Sequence, residues 1–250
     1  MFARLALVGV TMLAVLSTAE RMANATTLST SGEGPGAAGA AETAFLAGLA
    51  SVTTESFEGF TAANPAVKPL SFVTTVGTFT QVLAGVGGAC AATTCTGLSI
   101  LSATTTPFAG RFAVDGSNWL DSNDSKEMTW VSAPLPLPTS LGFYITDPND
   151  AGGRMDITTA DGGLTSTSFI NLFGSALGNG KVFYITIVDA DGIASVKFSS
   201  NDPADGYGLD RFSVGEPIPE PGTLLLLGSG LAGIGIGAWR RRRINSAPAS

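Results

Sequence analysis

The chain reads as an all-β protein, an antiparallel β-sandwich of the jelly-roll type, on two observations. About a dozen short segments alternate apolar and polar residues with a period of two, and clusters of Gly, Asn and Asp separate them. A third observation sets the two ends apart from this body, because each carries an apolar stretch of a different kind.

The N-terminal end comes first. "LALVGVTMLAVL" is an apolar run of twelve residues behind Arg4, too short to span a hydrocarbon core of roughly 30 Å but suited to the h-region of a signal peptide. Small residues at Ala23 and Ala25 predict a signal peptide over 1–25 cleaved before Thr26, with Ser17-Thr18-Ala19 as the other candidate site. "TTLSTSGEGPGAAGA" then reads as a flexible lead-in, and "AAETAFLAGLA" as a short helix, which together occupy 26–50.

From Thr54 the period becomes two. The expected strands are "TESFEGF", "LSFVTTV", "TFTQVLA", "GLSIL", "GRFAVD" and "EMTWVS", followed by "SLGFYIT", "RMDITTA", "TSFINLF", "KVFYITIV", "ASVKFSS" and "GLDRFSV". Leu141, Phe143 and Ile145 share one face, as do Phe183, Ile185 and Ile187. Turns are expected at Asp115-Gly116, Asp161-Gly162-Gly163, Gly178-Asn179-Gly180 and Asp191-Gly192. The prolines of "SAPLPLPTS" predict a crossover at a sheet edge, since proline donates no ladder hydrogen bond. One ectodomain over 51–215 is long enough to bury a core.

Charge and residue inventory exclude several functions. Between Thr26 and Pro221 seven Lys and Arg stand against nineteen Asp and Glu, a net charge of −12. No basic patch is available to bind nucleic acid through its phosphates. The chain has no histidine, which excludes a Ser-His-Asp triad, a Cys-His pair and imidazole metal ligation. No strand-to-helix Gly-rich phosphate loop occurs, so no nucleotide site is expected. Cys90 and Cys95 enclose four residues and, in an exported chain, predict a disulfide across a hairpin tip. Zinc is not expected, because there are no further soft ligands. A glycoside or ester hydrolase built on paired carboxylates is the weaker alternative, and the sequence nominates no pair.

After the sandwich comes "PEPGTLLLLGSGLAGIGIGAWRRRR". Residues 222–239 carry no charge and make a helix of about 27 Å, barely a membrane span. Arg240, Arg241, Arg242 and Arg243 act as a cytoplasmic stop, and 244–250 form a cytoplasmic tail. The topology puts the acidic domain outside. Six glycines within 222–237 are costly for a permanent helix. Pro219-Glu220-Pro221, the apolar run and the arginines, together over 216–243, resemble the PEP-CTERM sorting signal of Gram-negative bacteria. The resemblance implies recognition and cleavage by an exosortase-type membrane enzyme. The chain would be anchored in the inner membrane before processing and released afterwards to the cell surface or an extracellular polysaccharide matrix. A single-pass anchor is the alternative, its Ser229, Gly233 and Gly237 forming a helix-packing face.

The acids cluster in "SNWLDSND", "TDPNDAGG" and "NDPADGYGLD". These motifs, with "FEGF" in the first strand, resemble a recurring group of PEP-CTERM ectodomains. In "LDRFSV" the two-residue period puts Asp210 on one face with Phe212 and Val214, so a buried carboxylate in need of a partner is expected. Jelly-roll carbohydrate-binding modules are similar in pairing a first-strand acid with a last-strand aspartate around a structural Ca²⁺. That resemblance implies Glu58 and Asp210 as ligands, and the clustered Asp121, Asp147 and Asp150 are the further Ca²⁺ candidates. "DSNDSKEM" is no EF-hand, because Lys126 stands where glycine is required. Trp119 and Tyr207 are the candidates for stacking on sugar rings. The expected function is a structural or adhesive role on the surface rather than catalysis, with a Ca²⁺-supported carbohydrate-binding module as the alternative.

Overall fold

The computed structural model describes residues 25–62, 70–85, 97–106, 109–123, 125–133, 136–148, 152–174, 178–201 and 205–218. Among these the chain forms β1 (Thr27–Thr30), α1 (Pro35–Ala47), β2 (Leu49–Glu55), β3 (Ser71–Val73), β4 (Gly77–Leu83), β5 (Ser99–Ser102) and β6 (Asn118–Asp121). There follow β7 (Glu127–Ser132), β8 (Ser140–Thr146), β9 (Arg154–Thr159), β10 (Leu164–Ser168) and α2 (Phe169–Phe173). The last three strands are β11 (Val182–Val188), β12 (Ile193–Ser199) and β13 (Gly208–Pro217).

The strands lie in two antiparallel sheets. One runs β1-β11-β8-β13-β6-β5, with β2 also paired to β13; the other runs β10-β9-β12-β7-β4-β3. After β6 the chain crosses to the second sheet for β7, back for β8 and again for β9. Connections therefore run between layers, as the winding of a jelly roll requires. The proline segment makes one of these crossings, between β7 and β8.

Alternation fills the space between the sheets. Leu141, Phe143 and Ile145 of β8 and Phe183, Ile185 and Ile187 of β11 meet Phe79, Trp130, Ile157, Val196 and Phe198 from the opposite sheet. Phe212 of β13 sits among three rings, stacked on Phe143 at 4.9 Å, edge-on to Phe79 at 5.0 Å and tilted against Trp130 at 5.1 Å. The outer face of the first sheet is also covered. There α1 packs Ala38 and Phe45 on Tyr144, Val182 and Tyr184. Gly142 permits this approach, since a Cβ there would stand 2.6 Å from the Phe45 ring.

Several expectations are corrected. The lead-in is part of the domain: β1 pairs with β11, and Pro35 at the first helical turn starts α1 five residues before the helix read from sequence. "TESFEGF" is a strand only to Glu55, after which Phe57 turns at φ 59°. "GRFAVD" is a loop. "TSFINLF" contains α2, because Ser168 caps it by accepting a hydrogen bond from Asn171 N–H at 3.2 Å. "NWLD", absent from the expected strands, is the buried strand β6. The expected membrane helix at 222–239 lies outside the described residues, and among those described no helix is long and apolar enough to cross a membrane.

Phe212→Ala is expected to lower unfolding free energy by about 3–5 kcal/mol, as for other aromatic truncations in close-packed cores. Chemical denaturation monitored by tryptophan fluorescence reads this, since Trp130 lies against the ring.

Candidate functional site

The acids singled out by sequence gather around one loop, residues 109–117. Asp210 accepts backbone N–H donors from Val114 and Asp115 on one carboxylate oxygen, at 2.7 and 3.0 Å, and from Arg211 on the other, at 2.7 Å. Glu58 takes Ser117 N–H at 2.8 Å and Asn118 N–H at 2.6 Å, and Ser117 Oγ donates to its second oxygen at 3.1 Å. Asp121 binds the Arg111 guanidinium at 3.0 Å, the Trp119 indole N–H at 3.1 Å and Asn123 N–H at 2.8 Å. Asp147 accepts from Gly180 N–H at 3.1 Å and lies so close to Gly110 that a Cβ there would stand 2.6 Å from its carboxylate. Gly110 also has φ 88°, which a side chain would strain.

N–H groups and a guanidinium point at these carboxylates. Among the described residues no three His, Cys, Asp or Glu side chains come together. Glu58, Asp121, Asp147 and Asp210 form a clamp on the 109–117 loop. Asp150 lies outside the described residues.

The route by which Asp210 becomes buried differs from the expected one. Its register partner is Tyr144, on the face covered by α1, and a β-bulge follows between Asp210 and Ser213 with Arg211 at φ 44°. The extra residue reverses the alternation, so Leu209 and Phe212 enter the core while Asp210 points to the opposite face. Burial there pushes the Asp210 carboxyl up to about 7, against its three backbone donors and helped by the nearby Asp115 carboxylate. Glu58 moves the other way: the N–H groups of Asn118 and Ser117 hold it below the usual carboxylate range.

Arg211 completes the clamp, binding Glu42 of α1 through Nε and Asp115 of the loop through Nη1. Arg111 is buried and reaches Asp205 at 2.9 Å as well as Asp121. Both arginines escaped notice in the sequence, where only the acids were conspicuous.

Trp119 and Tyr207 are no sugar-stacking platforms. Both are fully buried, Trp119 in β6 and Tyr207 against Phe169 and Phe198 with ring centroids 5.8 Å apart. Cys90, Cys95, Pro219, Glu220, Pro221 and Arg240 to Arg243 lie outside the described residues.

The chain is thus a two-sheet, all-β sandwich whose last strand ends at Pro217. Residues 217–243 match the family model described as the PEP-CTERM protein-sorting motif. The chain carries that motif, which marks an exported surface protein processed by an exosortase. No curated protein matches the chain. Among solved structures, the K2 cleaved adhesin domain of Lys-gingipain (Kgp) aligns at 18% identity with a TM-score of 0.40, over 66% of this chain and 99% of that one.

The Asp210 shift has a measurable consequence. Protonation is favoured in the folded state, so this group's stabilising contribution is complete below pH about 4 and is lost as pH rises through about 7. Asp210→Asn removes the titration while keeping an oxygen for the loop donors. The wild-type minus variant difference in unfolding free energy should fall by roughly a few kcal/mol across that window. Chelator tests the Ca²⁺ alternative separately: a melting temperature that falls on chelation supports Ca²⁺ binding, and one that does not move counts against it.

Proposed function

We propose that this chain is an exported β-sandwich delivered to the surface or extracellular matrix of a Gram-negative cell, where it acts structurally or adhesively and not by turnover. The sorting motif that begins on the last residue of β13 carries this reading. Export begins with the signal peptide at 1–25, and the apolar segment 222–239 holds the chain in the inner membrane until the exosortase-type enzyme acts near Pro219-Glu220-Pro221. The mature domain then joins an extracellular polysaccharide. The net charge of −12 over Thr26 to Pro221 favours a soluble, well-hydrated surface there.

The clamp carboxylates are engaged by donors from the same domain and hold the 109–117 loop, which supports a structural role for them.

Intact mass of the surface-exposed protein tests delivery. The expected mature chain ends before the arginine cluster, and replacing Pro219-Glu220-Pro221 with alanines leaves the chain uncleaved in the inner membrane. A surface form that retains residues beyond Trp239 would make 222–239 a permanent anchor.

A further inference from the structure

The outer face of the second sheet holds a cavity unrelated to the clamp. Register aligns Ser168, Arg154, Ser199 and Glu127 in one row across β10, β9, β12 and β7. The neighbouring residues Met155, Phe198 and Met128 are buried in the core, so this row points away from it. With Lys126, Gly153, Ser200 and Asn201 beside it, the row lines a cavity of about 430 Å³, within the usual span of small-molecule sites of about 300–1,000 Å³.

Two observations mark the cavity as a place for a ligand. Ser199 Oγ is buried and has no hydrogen-bond partner, a costly state that a bound polar group would relieve. Lys126 is the one cationic side chain, among the described residues, that forms no ion pair; Arg111, Arg154, Lys181, Lys197 and Arg211 are all paired. Its charge is uncompensated in a domain with a large excess of acids.

Arg154 spends one terminal nitrogen on Asp156 at 2.9 Å, and its side chain is 54% exposed. Asp156 itself is occupied by Arg154, by Lys197 at 3.4 Å and by Ser166 Oγ at 2.7 Å. Among the described residues, the three cations Lys126, Arg154 and Lys197 therefore stand with two carboxylates, Glu127 and Asp156, on this face of the sheet, and Asp156 is engaged.

We infer that this cavity binds an acidic sugar, a uronate unit of a polysaccharide, with its carboxylate on Lys126 and Arg154 and its hydroxyls on Ser199, Asn201 and Glu127. Glu127 separates this class from a bare inorganic anion. A carboxylate in the lining repels phosphate but accepts a sugar hydroxyl, whereas ammonium and guanidinium groups need an anionic partner. A neutral sugar would leave Lys126 unanswered. The inference rests on the proposal that the domain works among extracellular polymers, yet it is tested separately, because binding is read on purified protein and delivery on cells.

Calorimetry of the full chain in mild detergent, titrated with a short oligogalacturonate, makes the test. A neutral malto-oligosaccharide and inorganic phosphate serve as comparison ligands. The uronate is expected to bind more tightly than either, with affinity that falls as salt is raised. Lys126→Ala and Arg154→Ala should each weaken it by about tenfold, as the loss of one charge-assisted hydrogen bond predicts. Both side chains sit at the surface, so melting temperatures close to wild type verify that the variants fold. Uronate binding no tighter than the neutral sugar, phosphate binding that matches or exceeds it, or full affinity in the double variant would each overturn the assignment.

Discussion

Carboxylates without cations are the constraint around which this domain is arranged. With seven basic residues for nineteen acids between Thr26 and Pro221, most acids must find neutral donors or remain in water. The structure answers with the backbone of the 109–117 loop and of Asn118 at the start of β6, whose N–H groups point at carboxylates. Asp210 and Glu58 approach it from two directions and together take five backbone and side-chain donors from Val114, Asp115, Ser117 and Asn118. The exchange is mutual: the acids gain charge-assisted bonds, and the loop gains acceptors for donors that would otherwise face a covered sheet.

This arrangement depends on one irregularity. Without the bulge at Arg211, Asp210 and Phe212 would lie on the same face, and either a carboxylate would enter the aromatic core or a phenyl ring would leave it. A single left-handed residue separates the two needs. It also directs the Arg211 side chain towards Glu42 of α1 and Asp115 of the loop, so the helix, the loop and the last strand are tied through adjacent residues. The same strand divides its edge, pairing with β6 over Gly208 and Leu209 and with β2 from Phe212 onward.

Period-two alternation made the sandwich legible where one face of a strand carries the large apolar core residues and the other small, polar or hydroxyl-bearing ones, as in β8, β11 and β12. It failed where charged and polar side chains are buried or local chemistry overrides it. "NWLD" has no alternation because all four residues of β6 are buried, and its polar members look like a loop until Asp121 is seen to bind Arg111. "TSFINLF" reads as a strand, yet the Ser168 cap diverts it into a helix. The sequence singled out Glu58 and Asp210 as candidate ligands, and the structure brings both to one stretch of backbone. Pairing partners of that kind are invisible in a sequence because an N–H group has no letter of its own. The cavity row of Arg154, Ser199 and Glu127 was hidden for a different reason. Each residue is recognisably outward-facing in its own strand, and only the register brings them side by side.

The junction with the sorting motif joins fold to function. Pro217 is still paired with Leu49, and Ile218 N–H donates to Gly48 carbonyl at 2.9 Å. The matched motif starts at Pro217, so only Ile218 separates the folded strand from Pro219-Glu220-Pro221. A processing enzyme that reads the triplet in an extended form must therefore work directly against the β2–β13 end of the sandwich. Proline suits this place twice over. Pro217 is the last residue of β13 and donates no ladder hydrogen bond itself, and the prolines of the triplet are poor continuations of a sheet. The domain's fold thus sets the point at which the chain becomes available to the enzyme. A chain that failed to form β13 would lose the pairing that ends at Pro217, so the distance from folded strand to motif is a property of the fold as well as of the sequence.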